Sequence, residues 1–265
     1  MGLSAPTLGA ATPLLEARGL TVSAGGRSLV TDLDLELWPG EALAVLGPNG
    51  VGKTLTLQTL AGLRAPAAGE VRVAGRPIAA WPRRMLAQQL GLLPQGTEDP
   101  FPATVMEEAL IGRHPHLGFW QWESPQDQDI ARRALVEVDL GGLEDRPLDT
   151  LSGGERRRLA VATLLVQDPG VWLVDEPTNH LDPQHRLGVM RLLAARAAQA
   201  RAVVVTLHDV NLAAGWCARC LLLFGDGTWQ LGPAAEVLSE AAVSRLYHMD
   251  IRRVEFEGRA LFLPL

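Results

Sequence analysis

The stretch Gly47-Pro48-Asn49-Gly50-Val51-Gly52-Lys53-Thr54 decides the reading of this chain. It fits the pattern G-x-x-x-x-G-K-[ST], a loop whose backbone N–H groups turn inward on phosphates. The apolar run Ala42–Leu46 precedes it and a helical pattern over residues 53–63 follows. A short continuous apolar run is what a strand covered on both faces requires, so the loop lies between a buried strand and a helix, where phosphate binding needs it. The glycines let the main chain approach an anion, and the helix N-terminus adds its positive dipole. Lys53 is expected to reach the β- and γ-phosphates and Thr54 to ligate Mg²⁺. The whole segment, Gly47, Pro48, Asn49, Gly50, Val51, Gly52, Lys53 and Thr54, is therefore the expected nucleotide cradle. ATP and Mg²⁺ are the expected ligands.

Such a loop needs a second carboxylate for its metal, and Val171-Trp172-Leu173-Val174-Asp175-Glu176 supplies one at the end of another apolar run. Asp175 is expected in the Mg²⁺ shell. Glu176, one residue further on, is expected to face an attacking water and accept its proton.

Outward from these two segments the organisation follows. Residues 14–22 and 29–37 alternate apolar with polar or small side chains around Gly25-Gly26, predicting an antiparallel pair. Strands are predicted at 70–74 and 90–93, then helices at 105–112 and 126–138 within a proline- and tryptophan-bearing stretch. Strands at 171–174 and 202–206 alternate with helices from Gly153, Gln184 and Val210, a pattern that predicts a largely parallel sheet. A hairpin turning on Gly225-Asp226-Gly227, two short helices and a strand pair around Glu257-Gly258 close the chain. The fold class is α/β: a P-loop core with a mostly parallel sheet, an antiparallel β subdomain and an inserted α-helical subdomain at about 97–168. Residues 1–13 read as a disordered tail and 14–265 as one domain.

Bulk properties exclude several functions. The longest apolar stretches, at 164–166 and 221–224, fall far short of the roughly 20 residues of a membrane-spanning helix. The first 13 residues contain no basic residue to begin a signal peptide, so the expected location is the cytoplasm. A formal net charge of -6 argues against a nucleic-acid partner, and Arg156-Arg157-Arg158 reads as a solvated or salt-bridged helix face. Cys217 and Cys220 lack the second pair or nearby histidines of a metal site and read as incidental thiols.

Leu151-Ser152-Gly153-Gly154-Glu155 resembles the signature of ATP-binding cassette ATPases, and the resemblance covers the chain from about Leu14 to its end. It implies that Ser152, Gly153 and Gly154, at a helix start, cap the γ-phosphate of ATP held by a second copy of the chain. It further implies that Gln95, after Leu93-Pro94, senses Mg²⁺ and links the ATPase core to the helical insertion. Asp182 would cross the interface between copies, and His208, after Thr206-Leu207, would contact the γ-phosphate. Glu176, His208 and Gln95 are thus the expected catalytic group, and Thr54, Gln95 and Asp175 the expected metal group. His114, His116, His180, His185 and His248 receive no role. One position departs from the family: the aromatic that stacks on adenine is replaced by Ala24, which makes adenine preference less secure than triphosphate binding.

Softer cues resemble importers of iron-siderophores, haem and cobalamin: Leu92-Leu93-Pro94-Gln95, Thr104-Val105-Met106-Glu107-Glu108 leading to Gly112-Arg113-His114-Pro115-His116, and His208-Asp209-Val210-Asn211-Leu212-Ala213-Ala214. Among these cargoes the cues lean toward cobalamin. The resemblance implies two transmembrane permease subunits as partners, a periplasmic binding protein indirectly, and a place on the cytoplasmic face of the inner membrane. The alternative is a soluble cassette acting on ribosomes, which Asp175-Glu176-Pro177-Thr178-Asn179-His180-Leu181-Asp182 also resembles. A cassette in cofactor assembly or an exporter is a third reading.

Overall fold

The computed structural model describes residues 12–96, 102–179 and 181–265. Most of the expected tail, the start of the helical insertion at 97–101, and His180 lie outside the described residues.

Strands β1 (Leu15–Ala24) and β2 (Arg27–Leu37) pair antiparallel with Ala24 opposite Arg27. Gly25 and Gly26 both take positive φ, +57° and +76°, as a two-residue hairpin loop of matching twist requires. Strand β3 (Ala42–Leu46) then leads through the glycine-rich loop to helix α1 (Lys53–Leu60). Strands β4 (Ala68–Val73) and β5 (Arg76–Pro77) complete a four-stranded antiparallel sheet, β2-β1-β4-β5.

Helix α2 (Arg83–Gln89) and strand β6 (Leu90–Leu93) follow. The helical insertion contains α3 (Val105–Leu110), α4 (Pro125–Glu137) and α5 (Gly153–Gln167). Each of these begins with a reciprocal capping box, Thr104 with Glu107, Ser124 with Asp127 and Ser152 with Glu155. The pairing satisfies backbone donors that a helix start otherwise leaves open.

The chain then alternates through β7 (Val171–Asp175), α6 (Pro183–Ala198), β8 (Ala202–Leu207), α7 (Val210–Trp216), β9 (Arg219–Leu223) and β10 (Trp229–Pro233). Short helices α8 (Ala234–Val237) and α9 (Glu240–Tyr247) precede the hairpin of β11 (Ile251–Phe256) and β12 (Arg259–Pro264). The central sheet runs β10-β9-β3-β8-β7-β6 and is parallel except for β10 at its edge.

Residues of the central strands are buried on both faces, and their alternation divides the core. Leu43, Val45, Leu173 and Val204 pack with the antiparallel sheet and α1, whereas Ala44, Leu46, Val174, Val203 and Val205 pack with the helices behind. Burial of each such Val or Leu stabilises by roughly 1.5–3 kcal/mol. This two-sided core fixes the ends of β3, β7 and β8 beside one another, and the candidate site forms at those ends.

Candidate functional site

The loop after β3 has the conformation an anion cradle needs. Gly50 and Gly52 take φ of +80° and +109°, in the left-handed region that favours glycine. A Cβ at Gly47 would stand 2.7 Å from the carbonyl oxygen of Leu223 and 2.8 Å from Val51 Cγ2, so the close approach of β9 also demands glycine there. Lys53 is buried, and its ammonium donates to the carbonyls of Gly47 at 2.8 Å and Pro48 at 3.1 Å. Burial lowers its pKa, a shift opposed by Glu176 and Asp175. The loop, Lys53, Thr54 and Leu55 line a cleft of about 420 Å³ together with Gln95, Glu176, Asn179 and His208.

Glu176 is the focus of this cleft. Strand β7 ends at Asp175, and Glu176 adopts a φ of +48°, a conformation that costs a non-glycine residue roughly 1–3 kcal/mol. Its side chain is only 5% exposed and is surrounded by four partners. Lys53 Nζ at 3.8 Å and His208 Nε2 at 2.6 Å face Oε1, while Gln95 Nε2 at 2.7 Å and Asn179 Nδ2 at 2.5 Å donate to Oε2. The sequence-predicted Lys53, Gln95, Glu176 and His208 therefore converge on one carboxylate.

Asp175 sits beside them in a different state. Its Oδ1 accepts a hydrogen bond from the Thr206 hydroxyl at 2.5 Å, and that hydroxyl accepts one from the Glu176 amide at 2.8 Å. The other oxygen, Oδ2, is buried without a hydrogen-bond partner among the described residues. An uncompensated buried carboxylate oxygen is costly. Together with the glycine cradle and the hard oxygen donors of Thr54 and Gln95, it fits the oxygen-rich shell that Mg²⁺ takes.

Three contributors escaped the sequence reading. Asn179 lies three residues past Glu176 and closes a turn on it, its amide donating to the Glu176 carbonyl at 3.3 Å; the spacing E-P-T-N carried that signal. Tyr247 donates from its hydroxyl to the His208 carbonyl at 2.9 Å, tying the end of α9 to the segment after β8. Burial pushes the Tyr247 pKa up to about 12. The third is Arg157. The expected solvated face fails there, because Arg157 is 7% exposed and its guanidinium donates to the carbonyls of Pro94, Gln95 and Asp175. Helix α5 packs inward at that point, and desolvation lowers the Arg157 pKa to about 10 against the pull of Asp175 and Glu176.

Ser152, Gly153 and Gly154 lie elsewhere. With Glu155, Arg158, Leu181, Asp182 and His185 they line a second cleft of about 480 Å³, which has no lining residue in common with the first. Asp182 caps α6 and accepts from the His185 amide at 2.9 Å and Nδ1 at 2.7 Å; these bonds hold its pKa down. Cys217 and Cys220 are buried free thiols, raised by desolvation to about 12, in keeping with incidental core residues. Among the described residues no Phe, Trp or Tyr lines the first cleft, so none of these stands in there for the aromatic missing at Ala24.

Comparison with known proteins decides the family. The model described as ABC transporter matches residues 30–179, more than half of the chain. The chain belongs to the ABC transporter family. Two curated relatives of the same family are both named hemin import ATP-binding protein. The one from Pseudomonas entomophila strain L48 is 39% identical over 243 residues, covering 90% of this chain and 94% of the relative. The one from Streptomyces coelicolor is 39% identical over 238 residues, covering 90% and 84%. Among solved structures, a putative metal-chelate type ABC transporter in an inward-facing conformation matches with a TM-score of 0.82 at 27% identity, covering 96% and 98%. A dimeric ABC cassette matches in fold with a TM-score of 0.72 at 23% identity, covering 83% and 98%. The chain is thus an ABC transporter ATPase, and among its described residues no helix is long and apolar enough to cross a membrane.

Proposed function

We propose that this ABC ATPase drives an importer of a metal chelate, haem first among the candidates, and that two copies of it sandwich two ATP molecules. The relatives' names favour haem over cobalamin, toward which the sequence cues lean. They favour import over the ribosomal alternative.

One observation carries the two-copy reading. The phosphate cradle and Glu176 line one cleft of the chain while Ser152, Gly153 and Gly154 line another. A helix start that attracts anions serves a bound triphosphate only if it comes from a second copy. Thr54, Asp175 and Gln95 would hold Mg²⁺, which when bound supplies positive charge against the phosphate oxygens. Lys53 binds the β- and γ-phosphates, Glu176 orients the attacking water and takes its proton, and His208 holds the γ-phosphate. Closing of the two copies moves the helical insertion through Gln95 and Asp182, and with it a pair of permease subunits on the cytoplasmic face of the inner membrane. A periplasmic binding protein would deliver the cargo.

Affinity capture of the chain after co-expression with a candidate permease tests the assignment. Recovery of a polytopic membrane protein in equal amount, with ATP hydrolysis raised by a haem-loaded binding protein, is the expected result. Recovery of ribosomal particles without membrane protein would refute it.

A further inference from the structure

Arg157 occupies a place that neither the cradle nor the signature accounts for. It lies on the second turn of α5, whose first turn is Gly153-Gly154-Glu155 capped by Ser152. From there its guanidinium reaches the carbonyl of Pro94 at 2.5 Å and of Gln95 at 3.3 Å through Nη1, and the carbonyl of Asp175 through Nη2. Its bonded partners are thus main-chain carbonyls of the segment after β6 and of the end of β7, and its Nε is buried with no hydrogen-bond partner among the described residues. The side chain does not line the nucleotide cleft.

A planar fork that donates to acceptors on separate segments fixes their spacing, which a single ammonium cannot do. We propose that Arg157 is a positioning residue that couples the two nucleotide sites of the dimer. The inference rests on the two-copy reading above. In that arrangement Gln95 and Asp175 belong to a chain's own ATP, whereas Ser152 to Gly154 of the same chain belong to the ATP of its partner. Arg157 ties the two sets, since it stands on the helix that Ser152 caps and donates to the carbonyls of Gln95 and Asp175. A shift of Gln95 on nucleotide binding therefore carries the start of α5 with it, and the second site is assembled more readily after the first. In energetic terms this is a coupling between sites, reciprocal by thermodynamic necessity.

Steady-state ATP hydrolysis by the purified full chain, measured against MgATP concentration, tests the coupling. The wild type is expected to be cooperative, with a Hill coefficient of about 1.5 to 2, and Arg157→Gln to fall toward about 1. Half-saturating ATP should stay within about threefold, because Arg157 is not among the residues that line the nucleotide cleft. Arg157→Lys keeps the charge near Asp175 and Glu176 but loses the fork, and is expected to remain non-cooperative. It carries the same test should the Gln variant fail to fold. Hydrogen exchange with a non-hydrolysable ATP analogue gives a second readout. Protection of residues 90–96 and of residues 152–158 should rise together in the wild type and separately in the variants. Unchanged cooperativity in Arg157→Gln, or its full recovery in Arg157→Lys, would overturn the proposed tie while leaving the dimer intact. A wild type that hydrolyses ATP without cooperativity as a monomer would instead overturn the two-copy reading itself.

Discussion

Glu176→Gln is the most informative single change at the cleft. The substitution keeps the shape of the side chain and replaces one acceptor oxygen by an NH₂ group. Placed with its oxygen toward Lys53 and His208, the amide presents donors to Gln95 and Asn179. Both of those can turn their own amides to offer oxygen instead. What is lost is charge. At 3.8 Å from Lys53 the pairing is worth about 4 kcal/mol at an effective dielectric of 20, and the substitution relieves the desolvation of Glu176 alone, because Lys53 stays buried on the carbonyls of Gly47 and Pro48. Folding stability without ATP should therefore fall, by up to the roughly 3–5 kcal/mol that losing one partner of a buried pair costs. Turnover should change much, since removal of a positioned base slows proton transfer by about 10²–10⁴, or roughly 2.7–5.5 kcal/mol. Phosphate release in a single turnover measures the rate, a fluorescent ATP analogue measures binding, and gel filtration with ATP reads the dimer. Retained binding, a trapped dimer and a turnover loss in that range are expected. Hydrolysis within a factor of two of the wild type would refute the assignment, and so would a variant that no longer binds ATP.

Three other outcomes follow from the same structure. Thr56 is fully buried on α1 and its hydroxyl has no partner among the described residues, so Thr56→Val should raise stability by about 1 kcal/mol in urea unfolding. Gly112 faces the backbone of α5, where a Cβ would stand 2.3 Å from the Thr163 carbonyl oxygen and 2.9 Å from the Gln167 amide nitrogen. Gly112→Ala should therefore lower stability by roughly 1–3 kcal/mol, and an unchanged unfolding midpoint would contradict that packing. Asp127 is held down to about 2, first by the Ser124 hydroxyl and amide and then by Arg113. Its folded pKa lies below its unfolded value, so its contribution is present above about pH 4 and is lost as the pH falls toward 2. The difference in stability between wild type and Asp127→Asn should shrink across that window, and a gap that stays constant to pH 2 would exclude the mechanism.

The parts of the fold legible in the sequence were those fixed by local rules. The buried strands around Leu43–Leu46 and Val203–Val205 announce themselves as continuous apolar runs, and the glycine-rich loop and Asp175-Glu176 sit at strand ends that the same runs locate. The Gly25-Gly26 turn required only backbone conformation. Helix α2 escaped because it is short, starts after Pro82 with no side-chain cap and buries only Leu86, which leaves little periodicity to read. Arg157 escaped for a different reason. Within Arg156-Arg157-Arg158 nothing local distinguishes the residue that turns inward, since its acceptors at Pro94, Gln95 and Asp175 are brought to it only by the packing of α5 against β6 and β7. Tyr247 and His208 likewise lie 39 residues apart in the chain.

The partners of Glu176 also bear on the order of events. A carboxylate has about four lone-pair sites; His208, Gln95 and Asn179 stand within hydrogen-bond distance of it, and the Lys53 ammonium lies 3.8 Å from Oε1, so the buried carboxylate leaves a water little room until Lys53 or His208 moves away. On the proposed reading the two that leave are decided by chemistry. Lys53 and His208 are the groups assigned to phosphate oxygens, and both face Oε1. Gln95 and Asn179 are amides donating to Oε2. A triphosphate in the cradle therefore draws away the partners of one oxygen and leaves the other held. The base is freed on the side where the terminal phosphate lies, and only when that phosphate is present to compete for Lys53 and His208. Without it Glu176 stays capped, so the geometry that gathers the catalytic groups also keeps them from acting on water alone.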